Sequence, residues 1–285
     1  MTTLKNKRIL IAGGAGSIGS ELVRQLASKN KVYLLDINES GLFDIIDELR
    51  PKWVHGRVGD IRDYKTVRDV FEDFKPQVVF NCAAYKHVPL MEYTPLEAIQ
   101  TNVLGHYNLV HVAKTWECVE KFVFISTDKV VNARSIMGQT KRLGETLTIN
   151  QGKGYVAVRF GNVMDSRGSL LRIWQRQIDS GKKLTLTDER MERYMMTIPE
   201  AVKLVVRAAE LGDGGEIFVL DMGKRVNIKE LAFQILQKSG VTDYDKAKKM
   251  IKVVGMRPGE TLIEEVMTLE EQARAKKVEN FYVIK

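Results

Sequence analysis

Seven residues, Gly13-Gly14-Ala15-Gly16-Ser17-Ile18-Gly19, stand between a short apolar run and an amphipathic stretch, and they narrow the possible folds more than any other feature. The run at 8–12 predicts a strand, and the stretch at 17–29, with Ile18, Leu22 and Leu26 on one face, predicts a helix. A glycine-rich turn joining strand to helix in this spacing suits a dinucleotide. Gly13 permits the tight turn, Gly16 lets the backbone approach a pyrophosphate, and Gly19 lets helix and strand pack closely. Ser17 and Ile18 open the helix, whose N-terminal amides and dipole favour phosphate. Asp36 ends the second expected strand about 20 residues on, where an acidic group binds an adenosine ribose.

An acidic group there repels a 2′-phosphate, and Ile37-Asn38-Glu39 offers no Arg to receive one, so NAD is expected over NADP. Asp60-Ile61 follows the third expected strand, beside the adenine, and Ala83 and Ala84 follow the fourth, where small residues let a cofactor pass. Strand-like and helix-like segments alternate as far as residue 160. Strands are expected at 32–36, 54, 78–81, 122–126 and 155–160, and helices at 42–49, 67–74, onward from Pro95 through Ala113, and 136–149. This βαβα rhythm implies an α/β fold with a doubly wound parallel sheet of the Rossmann type, ligands lying at the carboxyl ends of its strands. After Gly161 turn-rich segments alternate with shorter helices at 200–211 and 228–238. The expected organisation is a dinucleotide-binding domain over 1–165 and a smaller, interleaved substrate-binding part over 166–285.

Composition narrows the function further. The chain has 285 residues, enough for a sizeable core, and a net charge of +8 that calls for an anionic partner. Its Lys and Arg are scattered, with no nucleic-acid-binding signature, so a phosphate-bearing small molecule is expected and nucleic acid is not. No apolar run reaches the ~20 residues that span a bilayer, and the charged N-terminal stretch lacks a leader's pattern, so a cytoplasmic protein is expected. Cys82 and Cys118 form no CxxC pair, and His87, His106 and His111 have no metal spacing, which points to two buried thiols, structural histidines and no metal site. Val110, Val112 and Trp116 make the helix that follows Pro95 apolar on more than one face, as a homodimer would require.

The glycine spacing, Ala83-Ala84-Tyr85-Lys86-His87-Val88-Pro89, Ser126-Thr127-Asp128-Lys129, Arg159-Phe160-Gly161-Asn162-Val163 and Met256-Arg257-Pro258-Gly259-Glu260 together resemble the extended short-chain dehydrogenases/reductases. More narrowly, the chain is similar to the CapD-like polysaccharide-biosynthesis group, the UDP-N-acetylglucosamine 4,6-dehydratases. The resemblance implies oxidation of the sugar at C-4, loss of water from C-5 and C-6, and return of the hydride to C-6, with C-5 epimerisation an additional outcome. It implies that Thr127 holds the C-4 oxygen, Lys129 takes the C-5 proton once its pKa is lowered, and Asp128 protonates the departing hydroxyl. Lys141 binds the nicotinamide ribose in this picture. Lys86 meets the substrate, and Asn162, Arg193, Arg257 and Glu260 surround the nucleotide diphosphate and ribose.

Two positions depart from the pattern. Short-chain dehydrogenases usually carry Tyr-x-x-x-Lys, and here Met137 stands in the catalytic Tyr's place, four residues before Lys141. A thioether transfers no proton, which leaves Asp128, Lys129, Tyr85 and a relayed water open as acceptors at C-4. Thr261 follows Glu260, where relatives often have Lys. A UDP-sugar 4-epimerase shares the fold, the cofactor and the first hydride step but needs no C-5 base, so Lys129 favours dehydration. Met137 alone favours a protein that binds NAD(H) without turnover.

Overall fold

The computed structural model describes residues 4–49 and 54–285. The first six strands are β1 (Arg8–Ala12), β2 (Lys31–Asp36), β3 (Val54–Val58), β4 (Val78–Asn81), β5 (Lys121–Ile125) and β6 (Tyr155–Arg159). Four short ones follow: β7 (Asn162–Val163), β8 (Leu184–Leu186), β9 (Glu192–Arg193) and β10 (Met195–Met196). β11 (Glu216–Leu220) returns to the main sheet, whereas β12 (Val226–Asn227) and β13 (Ile251–Val253) pair with β9 and β8 outside it. β14 (Lys276–Val278) and β15 (Phe281–Ile284) close the main sheet's edge. Its order among the described residues is β14-β15-β11-β6-β5-β4-β1-β2-β3. Pairing is parallel from β3 to β11 and antiparallel from there to β15 and β14.

The central strands read as near-continuous apolar runs because both faces of a doubly wound sheet are covered. Ile9, Ile11, Val78, Phe80, Val123 and Ile125 point to one face, and Leu10, Ala12, Val79, Phe122 and Phe124 to the other. Leu22, Val23 and Leu26 of the Ser17–Leu26 helix cover the first face, together with Ala201, Val202 and Val205 of the Ile198–Leu211 helix. Val67, Val70 and Phe71 of the Tyr64–Phe74 helix cover the second. Each fully buried Val, Leu, Ile or Phe contributes about 1.5–3 kcal/mol, so these two faces rather than local propensity stabilise the sheet. The order reverses between β1 and β4, which opens a crevice at their carboxyl ends.

Two differences from the sequence reading have physical causes. The helix expected to run on from Pro95 is interrupted: Pro95–Ile99 and His106–Thr115 are α-helical, and Gln100–Gly105 between them is a π-helix. Asn102 in that segment is buried; it accepts from Tyr85 N at 2.8 Å and donates to Tyr85 O at 3.0 Å and Thr140 Oγ1 at 3.1 Å. Second, Val110 and Val112 are core residues and Trp116 packs against the same core, so they form no outer face. Leu96, Ile99, Leu104 and Tyr107 of these segments and Leu143 of the Ile136–Ile149 helix are exposed. The chain after residue 165 is divided between two places. β11, β14 and β15 complete the main sheet, while Trp174, Leu184, Leu186, Ile228, Ala232 and Leu236 build a separate small core. No helix among the described residues is long and apolar enough to cross a membrane.

Candidate functional site

The crevice between β1 and β4 is a cleft of about 200 Å³ lined by Gly13, Gly16, Asp36, Ile37, Asp60, Ile61, Ala83, Ala84 and Tyr85, among others. Gly13 has φ +77°, and a Cβ there would lie 2.5 Å from Ala83 N, so only glycine brings the β1 turn this close to the end of β4. Ser17 and Ile18 begin the helix that faces the cleft. The Asp36 carboxylate accepts from Ala15 N and Asn38 N, each at 2.9 Å, which fixes its position at the cleft wall. Cys82 also lines the cleft, and burial pushes its thiol up to about 12, leaving it uncharged. Cys82 and Cys118 are free and half-buried rather than fully buried.

Sequence reasoning missed two arginines here. Arg62 reaches the cleft just past β3, engaged by Asp60 at 2.6 Å and Glu97 at 3.0 Å. Arg167 lines it from a turn distant in sequence, its amide donating to Ser17 Oγ at 3.0 Å. The Asp165–Ser169 turn was visible in the sequence, but nothing there indicated that it crosses the glycine loop.

Past the end of β5 the chain makes a short 3₁₀ turn over Asp128–Val130, capped by Thr127. Asp128 is fully buried, its amide donating to Phe160 O at 3.0 Å. Its Oδ1 accepts from Thr127 Oγ1 and Lys129 Nζ, both at 2.9 Å, while its buried Oδ2 has no hydrogen-bond partner. A Cβ on Gly161 would come within 2.9 Å of that oxygen, so the glycine of the Arg159–Val163 motif leaves it room. Lys129 Nζ also donates to Asn162 Oδ1 at 3.2 Å.

The charge of Lys129 differs from the sequence expectation. Burial works to lower its pKa, but the Asp128 and Glu264 carboxylates outweigh burial and raise it above the ordinary lysine value. The isolated protein therefore holds Lys129 as an ammonium, not as a free amine. Lys86 behaves in the opposite way: burial, Lys129 and Arg172 lower its pKa, and it donates to Ser166 Oγ at 3.3 Å.

The helix Ile136–Ile149, capped by Ser135, carries the next pair of residues. Met137 is buried with Val88, Met91 and Ala98, and Tyr85 packs against this cluster. Lys141 is buried; it donates to the Ile125 carbonyl and lies 4.1 Å from the Phe124 ring centre. Burial pushes it down to about 8.

The four expected nucleotide-binding residues are placed unequally. Asn162 reaches the Asp128–Lys129 pair. Arg193 is instead buried, donating to the carbonyls of Glu192 at 2.7 Å, Leu262 at 2.8 Å and Thr261 at 2.6 Å. Arg257 and Glu260 hold each other through a 2.9 Å bond from Nε to Oε1. Arg159 at the end of β6 belongs to a different cluster, fully buried between Glu145 and Glu271.

A glycine-cradled cleft at the sheet's reversal, with Thr127-Asp128-Lys129 past β5 and Lys141 on the next helix, defines a short-chain dehydrogenase/reductase of the extended class. The chain belongs to the polysaccharide biosynthesis protein family, whose model matches residues 9–285. It is 44% identical over 280 residues to the capsular polysaccharide biosynthesis protein CapD of Staphylococcus aureus, covering 94% of this chain and 46% of CapD. The chain thus spans about half the length of that relative. It is 35% identical to the UDP-glucose 4-epimerase of Rickettsia bellii over 98% of this chain and 83% of the epimerase. Among solved structures, Pen from Bacillus thuringiensis superposes with a TM-score of 0.90 at 32% identity, covering 99% of this chain and 89% of Pen. The UDP-glucose 4-epimerase of Thermus thermophilus, solved in complex with NAD, shares the fold with a TM-score of 0.79 at 24% identity over 93% of this chain and 92% of the other.

Proposed function

We propose that this protein is an NAD-dependent 4,6-dehydratase of UDP-N-acetylglucosamine or a similar UDP-hexose, supplying a cytoplasmic step in polysaccharide precursor synthesis. The observation that carries this reading is the Asp128–Lys129 pair, with one buried carboxylate oxygen free to take a hydrogen bond. The cleft fits a dinucleotide: the Gly13 turn leaves space for a pyrophosphate, and Asp36 suits a ribose diol and disfavours a 2′-phosphate. A bound nicotinamide supplies the hydride acceptor and donor.

Thr127 holds the C-4 oxygen, whose proton passes to a relayed water or to Tyr85 as its phenolate. The Asp128–Lys129 pair shares one proton across 2.9 Å. Moving it from Nζ to the carboxylate yields an amine and a carboxylic acid, the pair that elimination requires. The amine removes the C-5 proton, the acid protonates the C-6 hydroxyl, and water leaves. The pair ends the elimination as ammonium and carboxylate; as hydride would return to C-6, the ammonium gives a proton to C-5, and the proton taken from the C-4 hydroxyl restores the one the pair shares. Arg257 and Glu260 separate to meet the diphosphate and ribose, and Lys86 meets the sugar. A second copy of the chain covers the exposed Leu96, Leu104, Tyr107 and Leu143.

The test is incubation of the pure protein with NAD and UDP-N-acetylglucosamine, followed by product mass. The product is expected to be lighter by one water, with solvent deuterium at C-5, and Lys129→Ala is expected to abolish both. The resemblance to the R. bellii epimerase supports a second reading, 4-epimerisation. Interconversion of C-4 epimers without water loss would establish it and exclude dehydration.

A further inference from the structure

One carboxylate at the mouth beside Asp128 has no part in the chemistry above. Glu264 is 8% exposed and follows the segment that bears Arg257 and Glu260. Its Oε1 lies 3.9 Å from Lys129 Nζ and 3.7 Å from Arg193 Nη2, so one oxygen faces two cations. Arg193 also fixes the backbone that carries this carboxylate, through its bonds to the carbonyls of Thr261 and Leu262. β9, which bears Arg193, is thereby tied to the turn after β5 that bears Lys129. The charged groups acting on the Lys129 amine are Asp128 and Glu264 on the negative side, and Arg193 and Lys86 on the positive side. Asn162 adds a neutral acceptor.

We propose that Glu264 is a positioning residue for Lys129: by sharing one carboxylate oxygen between Lys129 and Arg193, it holds the amine against Asp128 and governs how readily that amine gives up its proton. The functional consequence rests on the dehydratase reading, in which Lys129 is the C-5 base. An ammonium between two carboxylates sheds its proton reluctantly, so Glu264 restrains the base, and the Arg193 guanidinium, whose charge works the other way, limits that restraint.

The experiment measures the protonation of Lys129 directly. The whole protein and its Glu264→Gln variant are labelled with trace acetic anhydride across a range of pH, and Lys129 acetylation is read by peptide mass spectrometry. Removing the carboxylate's charge while keeping its shape is expected to lower the Lys129 midpoint by about one pH unit, making the free amine about tenfold more abundant at a fixed pH. The exposed Lys183 serves as an internal control and is expected not to move. If Glu264→Gln does not fold, Glu264→Asp withdraws the charge by one methylene and is expected to shift the midpoint in the same direction by less. An unchanged midpoint in the folded variant overturns the proposal. The alkaline limb of kcat, where the pair loses its shared proton, is expected to move down with the midpoint. If the midpoint falls and the wild-type protein eliminates no water, the dehydratase reading fails and the role of Glu264 stands. If water is eliminated and the midpoint stays, the reverse holds.

Discussion

Two charge clusters flank the ends of β5 and β6, and they are built on opposite plans. Around Arg159 every N–H of the guanidinium is engaged: Nε and Nη2 with Glu145 at 3.0 and 2.8 Å, Nη1 and Nη2 with Glu271 at 2.9 and 3.1 Å, and Nη1 again with Val266 O at 2.9 Å. Ser126 Oγ donates to Glu145 at 2.6 Å, so the cluster is closed on all sides. Around Asp128 one carboxylate oxygen has no partner, and the Lys129 side chain is 20% exposed at the mouth. A buried polar atom without a partner costs free energy unless something supplies one. The closed cluster fastens β6, the Ile136–Ile149 helix and the Leu269–Arg274 helix together. The open one is fitted for a ligand.

The sharpest way to break this contrast is to remove one cation from each cluster. Arg159→Met strands two buried carboxylates and is expected to cost about 3–5 kcal/mol in urea unfolding. Lys129→Met is expected to cost about 1–2 kcal/mol, because Lys129 is itself partly exposed and Thr127 still donates to Asp128. Equal losses would erase the distinction. Acid comes next in size. Burial pulls the Glu271 carboxyl up, but Arg159 outweighs it and holds the group at about 2, below its ordinary 4.5. Its folded-state pKa is depressed, so its stabilisation is complete above pH 4.5 and is lost as pH falls through about 2, for a total of about 3 kcal/mol. Urea midpoints measured between about pH 5 and pH 3 are expected to fall in the wild type and to flatten in Glu271→Gln. The smallest effect sharpens the picture of closure: Ser126→Ala removes one hydrogen bond to a charged group and is expected to cost about 1.5 kcal/mol. A loss larger than that of Arg159→Met would place the cluster's weight on the serine instead.

The parts that sequence reasoning reached are those whose causes are local. The Gly13–Gly19 turn, the alternation of β1, β2, β4, β5 and β6, and the adjacent Thr127-Asp128-Lys129 all lie within short windows where spacing reports geometry. The parts it missed depend on distant segments. Glu264 and Arg167 belong to no periodic or motif signal and reach the site only because the chain folds back. The direction in which the Lys129 pKa is pushed was out of reach for the same reason, since Glu264 helps to set it from a remote stretch. The outer apolar face was misassigned because helical period alone does not say which of two apolar faces a sheet will cover. Val110 and Val112 went inward.

The π-helical segment between Gln100 and Gly105 makes this part of the chain a matter of counting as well as composition. A π-turn takes one residue more than an α-turn, so the helices on either side are out of phase by about 100° relative to one continuous helix. Asn102 and His106, four residues apart, share the inward face, where Asn102 holds Tyr85 and Thr140 and His106 meets Asn81 and Thr148; the offset sets how that face is aligned with the inward face of the Pro95–Ile99 helix. Deleting a single residue here would restore a regular helix and rotate one of the two inward rows towards solvent, even with every contacting side chain kept. The polar, solvent-facing positions of these helices tolerate substitution. Their number cannot change.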